Sequence, residues 1–187
     1  MTRQAESRVL RDERCVLVRT AGAADAEAMG QYIRDLGRST PYILTFEDDV
    51  PTVESIRERL AQCEAGEGYT LLAIDPESAA IVAGTSYRFG SRFKLAHTAE
   101  LGTGVLPSWQ GVGLGSWMLD RSIEDMRKLE QIRRLELTVM STNTTALEMY
   151  KRAGFVEEGK KFRSIRQPDG SYCDEIIMAM WVGEEYV

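Results

Sequence analysis

Residues 101–116 read Leu-Gly-Thr-Gly-Val-Leu-Pro-Ser-Trp-Gln-Gly-Val-Gly-Leu-Gly-Ser: a strand-like run, a proline turn, three alternate glycines and the start of a helical pattern. Residues of these types at this spacing can hold a phosphate. Glycine lets the backbone approach a ligand closely, and the first turn of a helix offers N–H groups without intrahelical acceptors and a partial positive charge. Gln110, Gly111, Val112, Gly113, Leu114, Gly115 and Ser116 therefore form a candidate pyrophosphate site. Competing readings can be weighed. A dinucleotide fingerprint needs G-x-G-x-x-G, and counting from Gly111 puts Ser116 where the third glycine belongs. A P-loop needs Gly-Lys-Ser/Thr, which is missing. Both also favour a turn after the first strand, whereas this one follows the fourth expected strand. The remaining rival is a turn that glycine merely eases.

Other chemistries find less support. His97 is the only histidine, which argues against a Ser/His/Asp hydrolase and against a histidine-rich metal site. Cys15, Cys63 and Cys173 are an odd, widely spaced set with no CxxC pair, so no metal site and no disulfide framework is expected.

The turn must be positioned by the elements around it. Cys15–Arg19 is a short apolar run read as a strand, and Asp25–Leu36 places Ala28, Met29, Tyr32, Ile33 and Leu36 at helical spacing, with Gly37 as its expected end. A second helix carries Val53, Ile56 and Leu60, with Thr52 as N-cap. Tyr69–Ile74, Ala80–Phe89 and Leu95–Leu106 have strand character and are separated by Asp75-Pro76-Glu77 and Gly90-Ser91-Arg92, which predicts an antiparallel meander. A third helix runs from Gly113 to about Glu130 on the stripe Leu119, Ile123 and Met126. Leu135–Val139 alternates as a strand, with Glu136 and Thr138 facing away from the leucines. A short helix, Thr144–Arg152, stops at Gly154, and two closing strands meet around Pro168-Asp169-Gly170. The expected class is α+β: a central mixed, mostly antiparallel sheet of six to seven strands with helices on both faces.

The 187 residues, 43% apolar and 28% charged, suit one globular domain over residues 14–187, preceded by an aperiodic stretch, residues 1–13, expected to be a flexible arm. The net charge of -6 argues against a nucleic-acid partner, which needs a basic face. Met1–Glu6 lacks the apolar core of a signal peptide, and no stretch approaches a membrane span, so a cytoplasmic protein without membrane attachment is expected. The sequon Asn143-Thr144-Thr145 is then accidental.

Gln110-x-x-Gly113-x-Gly115, preceded by Gly104-Val105-Leu106-Pro107, resembles the Arg/Gln-x-x-Gly-x-Gly/Ala signature of the GNAT superfamily of acetyl-CoA-dependent N-acetyltransferases. Leu137-Thr138-Val139, Asn143, Ala146, Tyr150 and Gly154-Phe155 follow in the order typical of that superfamily. The resemblance covers roughly residues 14–182 and is strongest from Glu100 to Phe155. The ending from Glu158 to Met178 looks like that of small-amine and ribosomal-protein acetyltransferases.

The resemblance implies acetyl transfer from acetyl-CoA to a primary amine (a small amine, polyamine, amino-acid analogue or protein N-terminus) by direct attack on the thioester. Thr103, Gly104 and Val105 would bind the pantetheine arm through their backbone, and the Val105 N–H would face the thioester oxygen. Residues 111–116 would hold the pyrophosphate, Asn143 would reach the cofactor or cap its helix, and Tyr150 would protonate the departing thiolate. A phenol titrates near ~10 and a thiol near ~8.5, so the phenol keeps its proton at neutral pH. Some relatives carry a glutamate base where this chain has Thr138; Glu100 and Glu136 are the remaining carboxylate candidates, with Glu100 the choice. The acceptor would lie against Tyr42–Val50 and Phe162–Tyr172, where Glu47-Asp48-Asp49 suits a cationic amine and Arg163 with Arg166 an acidic one. The alternative is a non-catalytic acyl-CoA-binding regulatory module, which needs no proton donor. The sheet ends and the C-terminal strand are candidates for a homodimer contact, as in many relatives.

Overall fold

The structure, a computed structural model, describes residues 5–45 and 49–183. Among them are β1 (Glu6–Val9), β2 (Cys15–Thr20), α1 (Ala26–Ser39), α2 (Val53–Glu64), β3 (Gly68–Ile74), β4 (Ile81–Phe89), β5 (Thr98–Val105), α3 (Leu114–Arg127), β6 (Arg134–Met140), α4 (Thr144–Ala153), β7 (Val156–Arg166) and β8 (Tyr172–Trp181). The sheet order is β1-β2-β3-β4-β5-β6-β8-β7. β5 and β6 pair in parallel, whereas β1–β2, β2–β3, β3–β4, β6–β8 and β7–β8 pair antiparallel. The class is the expected α+β one, with a mixed, mostly antiparallel sheet.

The strand beyond the expected six to seven is β1, which lies inside the stretch read as an arm. Its registers with β2 run from Glu6 opposite Val18 to Val9 opposite Cys15. β1 is an outer strand with an exposed side-chain pattern, so backbone hydrogen bonds hold it and the apolar alternation of a half-buried strand never develops. The hairpin closes with the Leu10 N–H donating to the Arg14 carbonyl at 2.8 Å.

The chain divides into two compact units, Met1–Arg88 with Gly102–Ser122, and Phe89–Leu101 with Ile123–Val187. In the first, Ala26, Met29, Tyr32 and Leu36 of α1 form one buried cluster with Ile56 and Leu60 of α2, Leu72 of β3 and Ile81 of β4. The helical spacing selected Met29, Tyr32 and Leu36 correctly and Ile33 packs against the cluster, but Ala28 is exposed and Ala26 takes the buried place one turn before Met29. Ile56 and Leu60 are almost fully buried, each contributing about 1.5–3 kcal/mol of transfer free energy. Thr52 caps α2 as expected, its hydroxyl accepting the Ser55 N–H at 3.2 Å. α1 does not stop at Gly37; it runs to Ser39. Pro41 supplies the stop, because its ring disfavours the helical conformation for the preceding Thr40, which is extended at φ -145°, ψ 138°.

In the second unit, β6 buries Leu135, Leu137 and Val139 while Thr138 is exposed, as its alternation predicts. α4 starts on an Asn143 cap and ends at Gly154, whose φ of +103° is the left-handed cap that glycine favours. A side chain there would also meet Met180 Sδ at 3.2 Å. The β7–β8 turn falls at the expected Pro168-Asp169-Gly170, with Asp169 Oδ1 accepting the Ser171 N–H at 2.9 Å.

Candidate active site

The expected site residues fall into two groups, one in each unit. In the first unit β5 leads through Leu106 into a tight turn, Pro107–Trp109, then an extended Gln110. Gly111 and Gly113 follow at φ +77° and +86°, a backbone region that side chains with a Cβ rarely adopt. The first helical hydrogen bond of the segment runs from the Trp117 N–H to the Gly113 carbonyl at 3.1 Å, so the N–H groups of Leu114, Gly115 and Ser116 precede the helical ladder. A Cβ on Gly111 would meet nothing within 4 Å, so its glycine answers to the backbone turn and not to packing. Left-handed glycines ahead of unladdered N–H groups are the donor set that a diphosphate requires, so the turn fits the phosphates of coenzyme A. Leu114 is buried, which leaves only its backbone for a ligand.

Several residues that the sequence assigned to the cofactor also have structural duties. Gln110 Nε2 donates to the Val105 carbonyl at 2.8 Å, tying the turn back to the end of β5. The Thr103 hydroxyl lies 3.0 Å from that of Thr85 and 3.3 Å from the Gly84 carbonyl, so its side chain belongs to β4. Gly104 has no room for a side chain: a Cβ would lie 2.7 Å from Leu36 Cδ1 and 2.9 Å from Tyr32 Oη. The segment read as an arm reaches the turn as well. The Arg11 N–H donates to the Val112 carbonyl at 3.4 Å, and Arg14, just beyond that segment, stacks on the Trp109 ring at 4.1 Å.

In the second unit Tyr150 is buried at 6% exposure and meets the Phe155 ring edge-on at 5.8 Å. Its hydroxyl has no hydrogen-bond partner among the described residues. Burial pushes the phenol well above its ordinary range, so it holds its proton across the working pH of an enzyme. Asn143 Oδ1 accepts the Ala146 N–H at 3.2 Å as the cap of α4, while its NH2 group has no partner among the described residues. The cap and a ligand contact are therefore compatible.

The carboxylates separate by their partners. Glu100 and Glu136 are register partners in the β5–β6 pairing, which runs from Thr98–Arg134 to Glu100–Glu136. Glu136 accepts from Arg134 Nε at 3.2 Å, and Arg134 also grips Glu158 with Nη1 at 2.7 Å. Arg134 holds the Glu158 carboxyl below the usual carboxylate range. His97 lies in the turn before β5 and not on the strand expected from Leu95, and its ring packs against Trp181 at 6.4 Å.

Sequence reasoning missed Glu175, which stands on β8 opposite Met140 of β6. It is buried, accepts from Lys161 Nζ at 2.7 Å and interacts with the Thr138 hydroxyl, at the position where some relatives carry their base. Burial pushes its carboxyl up, but Lys161 and Thr138 outweigh burial and hold it below the usual range. The signal was the carboxylate that adjoins the apolar run Ile176–Trp181 of the closing strand. Tyr32 was read only as helix core, yet its hydroxyl donates to the Gly104 carbonyl at 2.8 Å. Of the acidic loop triplet, Glu47 and Asp48 lie outside the described residues; Asp49 is exposed.

The acetyltransferase (GNAT) family model matches residues 33–155, which include every site residue named above except Arg11, Arg14, Tyr32 and the closing-strand positions. The chain belongs to this family. A GNAT acetyltransferase from Streptococcus pneumoniae has a similar structure, with TM-score 0.83 and 26% identity over 89% of this chain and 99% of that one. The L-amino acid N-acetyltransferase AaaT of Escherichia coli (strain K12) is 29% identical over 88% of this chain and 96% of its own length. A phosphinothricin acetyltransferase from Sinorhizobium meliloti, solved in complex with acetyl-CoA, shares the fold at TM-score 0.78 and 18% identity, over 90% of this chain and 89% of that one. This GNAT protein is an acyltransferase that moves an acetyl group from acetyl-CoA to an amine. Among its described residues no helix is long and apolar enough to cross a membrane, and no group of three or more His, Cys, Asp or Glu could hold a metal ion.

Proposed function

We propose that the chain acetylates the α-amino group of an amino acid or a close analogue, with Tyr150 as the proton donor. The observation that carries the catalytic reading is the Tyr150 hydroxyl, buried on α4 and without a partner among the described residues. A non-catalytic acyl-CoA-binding module would have no use for an open, protonated donor. The name of the AaaT relative supports an amino-acid acceptor over a polyamine.

When bound, acetyl-CoA supplies the activated acyl group as a thioester. The chain does the rest. Gly111, Val112, Gly113, Leu114, Gly115 and Ser116 hold the diphosphate with backbone N–H groups; Gln110 closes the turn onto Val105. Thr103, Gly104 and Val105 lie on the part of β5 beyond its last register partner on β6, the place where a pantetheine arm can pair with backbone. The Asn143 NH2 group donates to the cofactor while its oxygen caps α4. The acceptor nitrogen forms the new C–N bond as the C–S bond breaks. Its proton passes to Glu100, and Tyr150 gives its own proton to the sulfur. Glu100 is the preferred base for its place on β5, the strand that leads into Thr103, Gly104 and Val105.

Release of free thiol from acetyl-CoA, followed against a panel of L-amino acids, spermidine and an alanine-ended peptide, tests the reading. Turnover is expected with amino acids. Binding of acetyl-CoA with no turnover on any amine would favour the regulatory module instead.

A further inference from the structure

We propose that Arg11, carried by the β1–β2 hairpin, is a phosphate-binding residue that contacts the diphosphate of coenzyme A. The inference rests on the reading of residues 111–116 as the diphosphate turn and extends it to a segment outside the family match, which begins at residue 33.

Three arginines of this hairpin flank the turn in order. Arg14 stacks on Trp109 at 4.1 Å and its Nη2 donates to the Ser108 carbonyl at 2.9 Å, on the near side of the glycines. Arg8 lies 5.2 Å over the Trp117 ring, on the far side. Arg11 sits between them. Its backbone N–H is bonded to Val112, and its Nε, Cδ and Cζ lie 3.2, 3.6 and 3.6 Å from where a Cβ on Gly113 would project. The guanidinium thus stands over a left-handed glycine at the mouth of the unladdered N–H groups.

The outer two arginines are used structurally. Arg14 also pairs with Asp12, the residue next to Arg11, at 2.6 Å. Arg11 has no ion pair or side-chain hydrogen bond among the described residues. An unpaired guanidinium held over anion-binding backbone, in a chain of net charge -6, is unexplained by stability and is the planar, multi-donor group that suits a phosphate.

Calorimetric titration of the full chain tests this with three probes: coenzyme A, 3′-dephospho-coenzyme A and S-acetylpantetheine. Arg11→Gln is expected to weaken binding of the first two about tenfold, the scale of one charge-assisted hydrogen bond at an exposed site, and to leave the phosphate-free S-acetylpantetheine as it was. Arg11→Lys should recover part of the loss. The salt dependence of the affinity should flatten in the Gln variant, because one screened charge pair is gone. The ligand-free unfolding midpoint should hold, since the contact with Val112 uses the Arg11 backbone; this separates lost binding from a displaced hairpin.

Equal affinity of parent and Gln variant for coenzyme A overturns the proposal. So does a loss that vanishes with 3′-dephospho-coenzyme A, which would move Arg11 to the 3′-phosphate. If the parent itself gives no binding with coenzyme A, the diphosphate reading of the turn falls, and Arg11 with it.

Discussion

The hydroxyl of Tyr32 on α1 donates to the carbonyl of Gly104 on β5 at 2.8 Å, and the same ring lies 3.2 Å from where a Cβ on Gly84 would project. A tyrosine on one helix therefore needs glycine at two strand positions. One of them, Gly104, belongs to the segment assigned to the pantetheine arm. Gly104→Ala places a methyl group 2.7 Å from Leu36 Cδ1 in a packed core. Overpacking of this kind costs about 1–3 kcal/mol, to be read as a lower urea midpoint at unchanged slope. Tyr32→Phe should cost less, about 0.5–1.5 kcal/mol, because it removes one hydrogen bond and keeps the ring. An alanine variant as stable as the parent would mean that α1 shifts freely at this point.

Gly113→Val is expected to lose coenzyme A affinity more than stability. The backbone there is left-handed, so a β-branched residue is strained at a cost of about 1–3 kcal/mol, and relief of that strain would turn the N–H groups of residues 114–116 away from the ligand. Calorimetry on the folded variant checks this. Affinity equal to the parent's would make the turn a connection only. Gly111→Ala is the comparison: its φ is strained too, but its Cβ meets open space, so strain acts there without any side-chain clash.

Asp25 receives both terminal nitrogens of Arg19, at 2.7 and 2.6 Å, and the Gly22 N–H at 2.9 Å. Arg19, with the Gly22 N–H, holds its carboxyl below the usual range despite partial burial. A carboxyl depressed in the folded state adds stability above its unfolded pKa of about 3.9 and loses it as pH falls through the folded value. Asp25→Asn should therefore lower the melting temperature at pH 7, and the gap to the parent should close below about pH 3.9. A gap that stays constant with pH would show that the pair contributes geometry and not charge.

The elements that the sequence revealed are those with a buried face. Ala26, Met29, Tyr32 and Leu36 repeat at helical spacing because one side of α1 is covered, and Leu135, Leu137 and Val139 alternate because β6 is. β1 escaped because its side chains are exposed and its bonds are made by backbone, which leaves no mark on composition. The glycine turn was legible for a different reason: Gly111 and Gly113 adopt positive φ, and few other residues tolerate it. Arg11 and Glu175 were not legible as neighbours of the turn and of Thr138. Each reaches its place through strand register, Val9 against Cys15 for the hairpin and Met140 against Glu175 for the closing strand. A single sequence does not state such registers.

Tyr150→Phe carries the sharpest test of mechanism. The substitution removes one oxygen and keeps the ring, so the edge-on packing with Phe155 at 5.8 Å is retained. No hydrogen bond to a described residue is lost with the hydroxyl, and folded stability is therefore expected to change by less than about 1 kcal/mol. If the phenol protonates the departing thiolate, turnover should fall by about 100-fold or more when chemistry limits the rate, the range for a lost general acid. Binding of coenzyme A should weaken little. The pH-rate profile adds an independent readout. Because burial pushes the phenol above its ordinary range, the parent's basic limb from this group lies beyond that of a free tyrosine, and the Phe variant should lack it. An acceptor whose amine is already neutral at the working pH keeps its own titration out of that window. Turnover at the parent's level, in single-turnover experiments where acyl transfer is the step observed, would make Tyr150 a packing residue and require the proton to come from water.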